Sequence, residues 1–79
     1  MYFVYLLQSK KDSSFYTGFS EEVGERLKDH NSGNAAFTST KAPYELVWYC
    51  CFKDKKKALA FEKYLKSGSG FAFRNKHLI

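Results

Sequence analysis

The chain has 79 residues, enough for one small domain with a thin core, and an aromatic share of 19% supplies the bulk such a core needs. Its net charge of +5 is unevenly spread: residues 1–52 carry five Lys/Arg against six Asp/Glu, and residues 53–79 carry eight against two. A basic last third suits either a polyanionic partner or a solvated lysine-rich surface, and the longest apolar runs, Tyr2–Leu7 and Leu46–Phe52, are too short to span a membrane.

Tyr2–Gln8 is apolar almost throughout and reads as a strand covered on both faces, with Tyr5 on the same face as Phe3 and Leu7. The polar segment Ser9–Ser14 turns the chain into a second, aromatic-rich strand that opens at Phe15, so the two form a hairpin. Gly18 lies inside that strand, where a missing side chain lets another group approach closely. Ser20 is the expected N-cap of a first helix from about Glu21 to His30, with Glu21 and Glu22 at the positive end of its dipole. Val23 and Leu27 form its apolar stripe, while Arg26 and His30 stand one turn apart on an adjacent stripe. The helix ends at Asn31-Ser32-Gly33, and residues 34–44 read as a loop closed by Pro43.

Leu46–Phe52 is a third strand, continuous and bulky enough to be buried on both faces. Its adjacent Cys50 and Cys51 point to opposite faces, which suits neither a disulfide framework nor a paired metal grip. A reducing, cytoplasmic setting is therefore expected, with no signal peptide visible. Asp54 caps a second helix that runs to about Lys66, Ser67–Gly70 breaks it, and Phe71–His77 forms a short third helix. The order β-β-α-β-α-α predicts an α/β (α+β) fold in one domain, with helices flanking a small three-stranded sheet.

The second helix carries the most informative residue. Ala58, Phe61 and Leu65 make its inward stripe, and Glu62 falls on the same apolar arc. A carboxylate there is costly unless it is paired, hydrogen-bonded or bound to a metal. The bland alternative is an outward tilt and an ion pair with Lys66 at i+4. Lys55, Lys56 and Lys57 occupy the first turn, where positive charge opposes the dipole; they are either solvated or face phosphates. Arg26 could likewise be only a surface partner of Glu22, and each tyrosine only a core aromatic.

Together these residues resemble the GIY-YIG nuclease domain, and in particular its small stand-alone bacterial members. The first motif is degenerate, Phe3-Val4-Tyr5, and the second reads Tyr16-Thr17-Gly18. The spacing of the two tyrosines, the Glu25-Arg26-Leu27 to His30-Asn31 segment, Phe37-Thr38 to Val47, and Ala58 to Lys66 extend the likeness over nearly the whole chain. Departures are Phe19 and Phe71 where relatives often carry basic residues, and Lys41-Ala42 in place of paired arginines. The resemblance implies hydrolysis of nucleic-acid phosphodiesters, DNA rather than RNA, with catalytic residues Tyr5, Tyr16, Arg26, His30 and Glu62. It implies a single Mg²⁺ or Mn²⁺ on Glu62, with Tyr5 or Tyr16 positioning water and His30 serving proton transfer or a phosphate hydrogen bond. Lys41, Lys55, Lys56 and Lys57 are the expected backbone-binding cations. Two other classes remain. One is a nucleic-acid-binding module without catalysis; the other is a zinc-stabilised domain built on Cys50, Cys51, His30 and His77, whose adjacent cysteines lack zinc-site spacing.

Overall fold

The computed structural model describes residues 1–32 and 39–79, and the expected similarity at Phe37-Thr38 lies outside them. The chain folds as β1 (Tyr2–Ser9), β2 (Phe15–Ser20), α1 (Val23–Ser32), a 3-10 turn (Ser39–Lys41), β3 (Tyr44–Phe52), α2 (Lys55–Leu65) and α3 (Gly68–His77). The expected order is observed. β1 lies in the middle of a β2-β1-β3 sheet and pairs antiparallel with both neighbours. Its central position follows from its sequence: Val4, Tyr5, Leu6 and Leu7 are all buried, which an edge strand could not achieve.

The pleat divides these residues between two clusters. On one face Val4 packs with Ala58 and Leu65, joined by Phe61, Phe73 and Leu78, so α2 and α3 cover that side. On the other, Tyr5 and Leu7 pack with Tyr44, Tyr16, Val23 and Leu27 beneath α1. Burial of each such aliphatic side chain contributes roughly 1.5–3 kcal/mol, so a few residues of β1 carry much of the fold.

The β1–β2 turn is organised by Ser9, which is buried. Its hydroxyl donates to the Lys41 carbonyl at 2.6 Å and accepts from the amides of Lys11 and Asp12. Asp12 then accepts from the amide and hydroxyl of Ser14, and these bonds hold its carboxyl down at about 2. Ser13 closes the turn with a left-handed φ of 65°.

Three local expectations need correction. α1 starts two residues late: Ser20 Oγ accepts from the Glu22 amide, but the Glu22 carbonyl takes the first helical bond, from Arg26 N. β3 begins at Tyr44, directly after a cis Ala42–Pro43 bond, and is not buried on both faces. Leu46, Val47, Tyr49 and Cys51 are exposed because β3 is an edge strand that α1 covers only at its start. α1 leaves β2 beside Phe3 and ends where Asn31 grips Tyr44, opposite Ser9, so it crosses the sheet obliquely. Finally, Ser67–Gly70 does not simply break the helix. Ser67 caps α3 by accepting from Gly70 N, and its hydroxyl donates to the Tyr64 carbonyl. A Cβ on Gly70 would collide with the backbone of Tyr64, so this glycine lets α3 turn tightly off α2.

Gly18 is the other glycine that the packing demands. It is the cross-strand partner of Tyr5, and a Cβ there would fall on the Tyr5 phenol. Gly18→Ala is expected to destabilise the fold by about 1–3 kcal/mol through overpacking. Urea unfolding measures it, and a parental midpoint would mean that the Tyr5 ring has another place to go.

Candidate active site

The pleat puts Tyr5 and Tyr16 on the α1 face of the sheet, with ring centroids 6.5 Å apart. Because the Tyr5 ring lies across Gly18, its hydroxyl reaches beyond its own strand toward the helix that follows β2. There it meets His30 Nε2 at 3.2 Å. His30 is itself buried, packed between Tyr16 at 4.7 Å and Tyr44 at 6.0 Å between ring centroids.

Arg26, one turn earlier on α1, brings its guanidinium to the same Tyr5 hydroxyl. Its carboxylate neighbour is Asp29 at 3.5 Å, not the Glu22 that helical spacing also allowed. The side chain is 40% exposed, which leaves the guanidinium open to an anion. Glu62 comes from α2 on the other side of the sheet, yet its charge is felt at the Tyr5 phenol. The fold therefore brings Tyr5, Tyr16, Arg26 and His30 together, and Glu62, from α2 behind the sheet, acts on this group through its charge at the Tyr5 phenol.

Glu62 meets both of its expectations in part. Its side chain is 20% exposed, so it is partly buried as the apolar arc required. It also pairs with Lys66 across one helical turn, at 3.2 Å through Oε2.

Electrostatics within the group are set first by burial. Desolvation raises the Tyr5 phenol above its ordinary value; the neighbouring Arg26 guanidinium pulls it down but does not win, and Tyr16 and Glu62 add to the rise. Burial thus favours the protonated phenol at Tyr5. His30 is shifted down, by desolvation first and by the Arg26 charge second, with Asp29 opposing. Both influences favour the neutral imidazole.

The expected cations lie elsewhere. Lys41 sits in the 3-10 turn and pairs with Asp12 at 3.6 Å, beside the β1–β2 turn. Lys55, Lys56 and Lys57 are exposed in the first turn of α2, where Asp54 accepts from Lys56 N. His77 packs against Phe73 on the opposite side of the sheet from His30, so the two do not share a site. Cys50 and Cys51 are both free, and burial raises the Cys50 thiol.

Sequence reasoning had Asn31 only as part of the resemblance and as a helix stop, and it missed Tyr44 and the clamp between the two. Asn31 acts as a one-residue strand partner: its Oδ1 accepts from Tyr44 N at 2.6 Å, and its Nδ2 donates to the Tyr44 carbonyl at 3.1 Å. That clamp fixes the end of α1, and so His30, to the start of β3. The available signal was Asn31 beside His30, which composition alone presents as a helix stop.

Comparison with known proteins gives the family of the chain. The model of the GIY-YIG catalytic domain matches residues 1–76, and the chain belongs to that nuclease family. UPF0213 protein CPE1444 of Clostridium perfringens is 39% identical over 67 residues, covering 84% of this chain and 71% of the relative. UPF0213 protein HQ_3675A of Haloquadratum walsbyi is 36% identical, covering 84% and 74%. The solution NMR structure of UPF0213 protein BH0048 from Bacillus halodurans superposes with a TM-score of 0.58 at 34% identity, over 96% of this chain and 84% of that one.

The state of His30 gives a pH prediction. Its folded pKa lies below the unfolded value of about 6.5, so the unfolded chain binds the proton more readily. Its contribution to stability is complete above about pH 6.5 and declines as pH falls below it toward the folded value. Thermal unfolding should therefore move to lower temperature between pH 7 and about pH 5.5, and His30→Gln should reduce that slope. An identical slope in both proteins would place the titration elsewhere.

Proposed function

We propose that the protein is a divalent-metal-dependent endonuclease that hydrolyses nucleic-acid phosphodiesters in a reducing, cytoplasmic setting. DNA is the favoured substrate, cut in a structure-specific or non-specific manner. One observation carries this proposal: two tyrosines, an arginine and a buried histidine gather on one face of the sheet, and the charge of a partly buried carboxylate on α2 acts on the Tyr5 phenol among them. A binding module has no use for that carboxylate.

Glu62 fits one Mg²⁺ or Mn²⁺. Such hard cations take one or two carboxylates and keep several waters, and Glu62 commits only one oxygen to an exposed, flexible lysine. Among the described residues no three His, Cys, Asp or Glu gather, so an all-protein cage is not what the donors offer. When bound, the ion supplies Lewis-acid stabilisation to the phosphoryl and leaving oxygens.

The chain's own groups divide the remaining work by exposure. Arg26 is open to solvent and oriented by Tyr5, so it binds the scissile phosphate and offsets charge in the transition state. Tyr16 is only partly buried and is the phenol that can meet an incoming water, which it orients toward phosphorus. Tyr5 is 1% exposed and holds Arg26 and His30 in place. His30 shares a hydrogen bond with Tyr5 through Nε2, accepting from the phenol in one tautomer and donating to it in the other. Lys55, Lys56 and Lys57, with Lys41, meet more distant phosphates.

Glu62→Gln removes the charge but keeps the shape. Cleavage of a labelled nucleic-acid panel in Mn²⁺ should be lost, while binding persists or tightens. Added metal should stabilise the parent and not the variant. A variant that still cuts would remove the proposal. A parent that binds but never cuts would instead favour the binding module, a reading to which the Lys66 ion pair gives some support.

Tyr16→Phe should cost more turnover than Tyr5→Phe if exposure assigns the roles correctly. Equal parental rates in both would make the tyrosines packing residues. If Lys55, Lys56 and Lys57 meet phosphates, replacing all three by glutamine should flatten the salt dependence of binding, by about one unit of slope for each phosphate no longer neutralised. An unaltered slope assigns them to the solvated surface.

A further inference from the structure

We propose that Tyr49, braced by Phe3, is a stacking platform for an unpaired base adjacent to the scissile phosphate, an inference that rests on the nuclease activity proposed above. Tyr49 is the Cα partner of Tyr5 across the β1–β3 ladder, so the two side chains leave the same face of the sheet. They diverge from there. The Tyr5 ring crosses Gly18 toward β2, whereas Tyr49 occupies the corner that α1 leaves uncovered and is 56% exposed.

Phe3 holds this ring in place. The two centroids are 6.0 Å apart with an interplanar angle of 56°, a tilted contact that fixes one side of Tyr49 and leaves the other to solvent. A lone exposed aromatic would need no explanation. Here Leu46 and Val47 are exposed on the same strand, and that strand runs directly into Lys53, Lys55, Lys56 and Lys57, all exposed. The ring lies on the α1 face and Lys55, Lys56 and Lys57 belong to α2 behind the sheet, so a single strand stacked on Tyr49 would carry its phosphates past Lys53 and around the end of β3 toward those lysines.

The spacing is compatible with the proposed chemistry. Strands lie about 4.8 Å apart, so Tyr49 on β3 and the Tyr5 phenol above β2 are separated by roughly 10 Å across the sheet. A neighbouring nucleotide spans that gap. A base inside a duplex has both faces occupied and cannot stack on Tyr49, so the platform selects nucleic acids with unpaired nucleotides beside the cut. Because every base has a π-face, it selects by structure and not by sequence. The competing occupant is a second copy of this chain, paired along the open edge of β3.

The test uses 2-aminopurine placed at successive positions of a short single-stranded oligonucleotide, and the same oligonucleotide as a duplex. Binding is read with EDTA present, cleavage is read separately with Mn²⁺, and mass by sedimentation. The parent should quench the probe at a defined position and bind the single strand more tightly than the duplex. Tyr49→Ala should lose the quench, bind the single strand roughly tenfold more weakly and narrow that preference. Tyr49→Phe, which keeps the ring, should retain all three.

Parental quenching and affinity in Tyr49→Ala would overturn the platform, and so would an effect confined to lost self-association in sedimentation. Because binding is measured without metal, the two proposals fail separately. A parent that cuts while Tyr49→Ala binds normally sinks the platform alone. A parent that never cuts, with quenching that still depends on Tyr49, sinks the nuclease activity and leaves a base-stacking protein.

Discussion

The passage of the Tyr5 ring across Gly18 is the constraint on which the rest of the site depends. A side chain at position 18 would force the phenol off the strand, and with it the hydroxyl that meets both His30 and Arg26. One missing Cβ on β2 therefore connects the centre of the sheet to two residues a turn apart on α1. The helix is held at its far end by a second device, the Asn31 amide on the backbone of Tyr44. Between these two attachments α1 has little freedom to rotate, and the Arg26–His30 stripe stays turned toward the tyrosines.

The same packing sets the electrostatic character of the group. Tyr5 and His30 are each pushed toward their neutral forms by burial, against opposing influences from Arg26 on the phenol and Asp29 on the imidazole. A neutral pair held by a hydrogen bond can respond to a change in charge nearby without first shedding water. The charged members, Arg26 and Glu62, lie nearer the solvent and already have partners, Asp29 and Lys66. An exposed pair such as Arg26–Asp29 contributes little to stability, and the partly buried Glu62 shares its charge only with the exposed Lys66.

Much of this was legible in the residues, for identifiable reasons. β1 could be read as central because four consecutive apolar side chains have no other place in a small sheet. Arg26 and His30 could be placed on one side of α1 by helical spacing alone. What escaped depended on where a helix ends in space. The run Leu46–Phe52 is equally apolar whether or not something covers it, and only the oblique path of α1 decides that Tyr49 and Cys51 stay open. Ser67–Gly70 carries the composition of a break, yet Gly70 is glycine because the backbone of Tyr64 lies against it. Spacing gave Glu62 two possible fates, ion pair or buried ligand, and the fold realises the ion pair together with part of the burial.

The alternation along β1 has one more consequence. Val4 belongs to the layer under α2 and α3, and alternation puts Leu6 on the same face, while Tyr5 and Leu7 belong to the layer under α1. A slip of a single residue in that strand would exchange the two sets, placing a phenol in the aliphatic layer and a valine where the hydroxyl should be. The irregularity that offsets Leu6 and Leu7 on β3, together with the Ser9 hydroxyl at the end of the strand, pins the pairing in one frame. Mutational drift in β1 is thereby confined to substitution: an inserted or deleted residue there would scramble chemistry and core in one event.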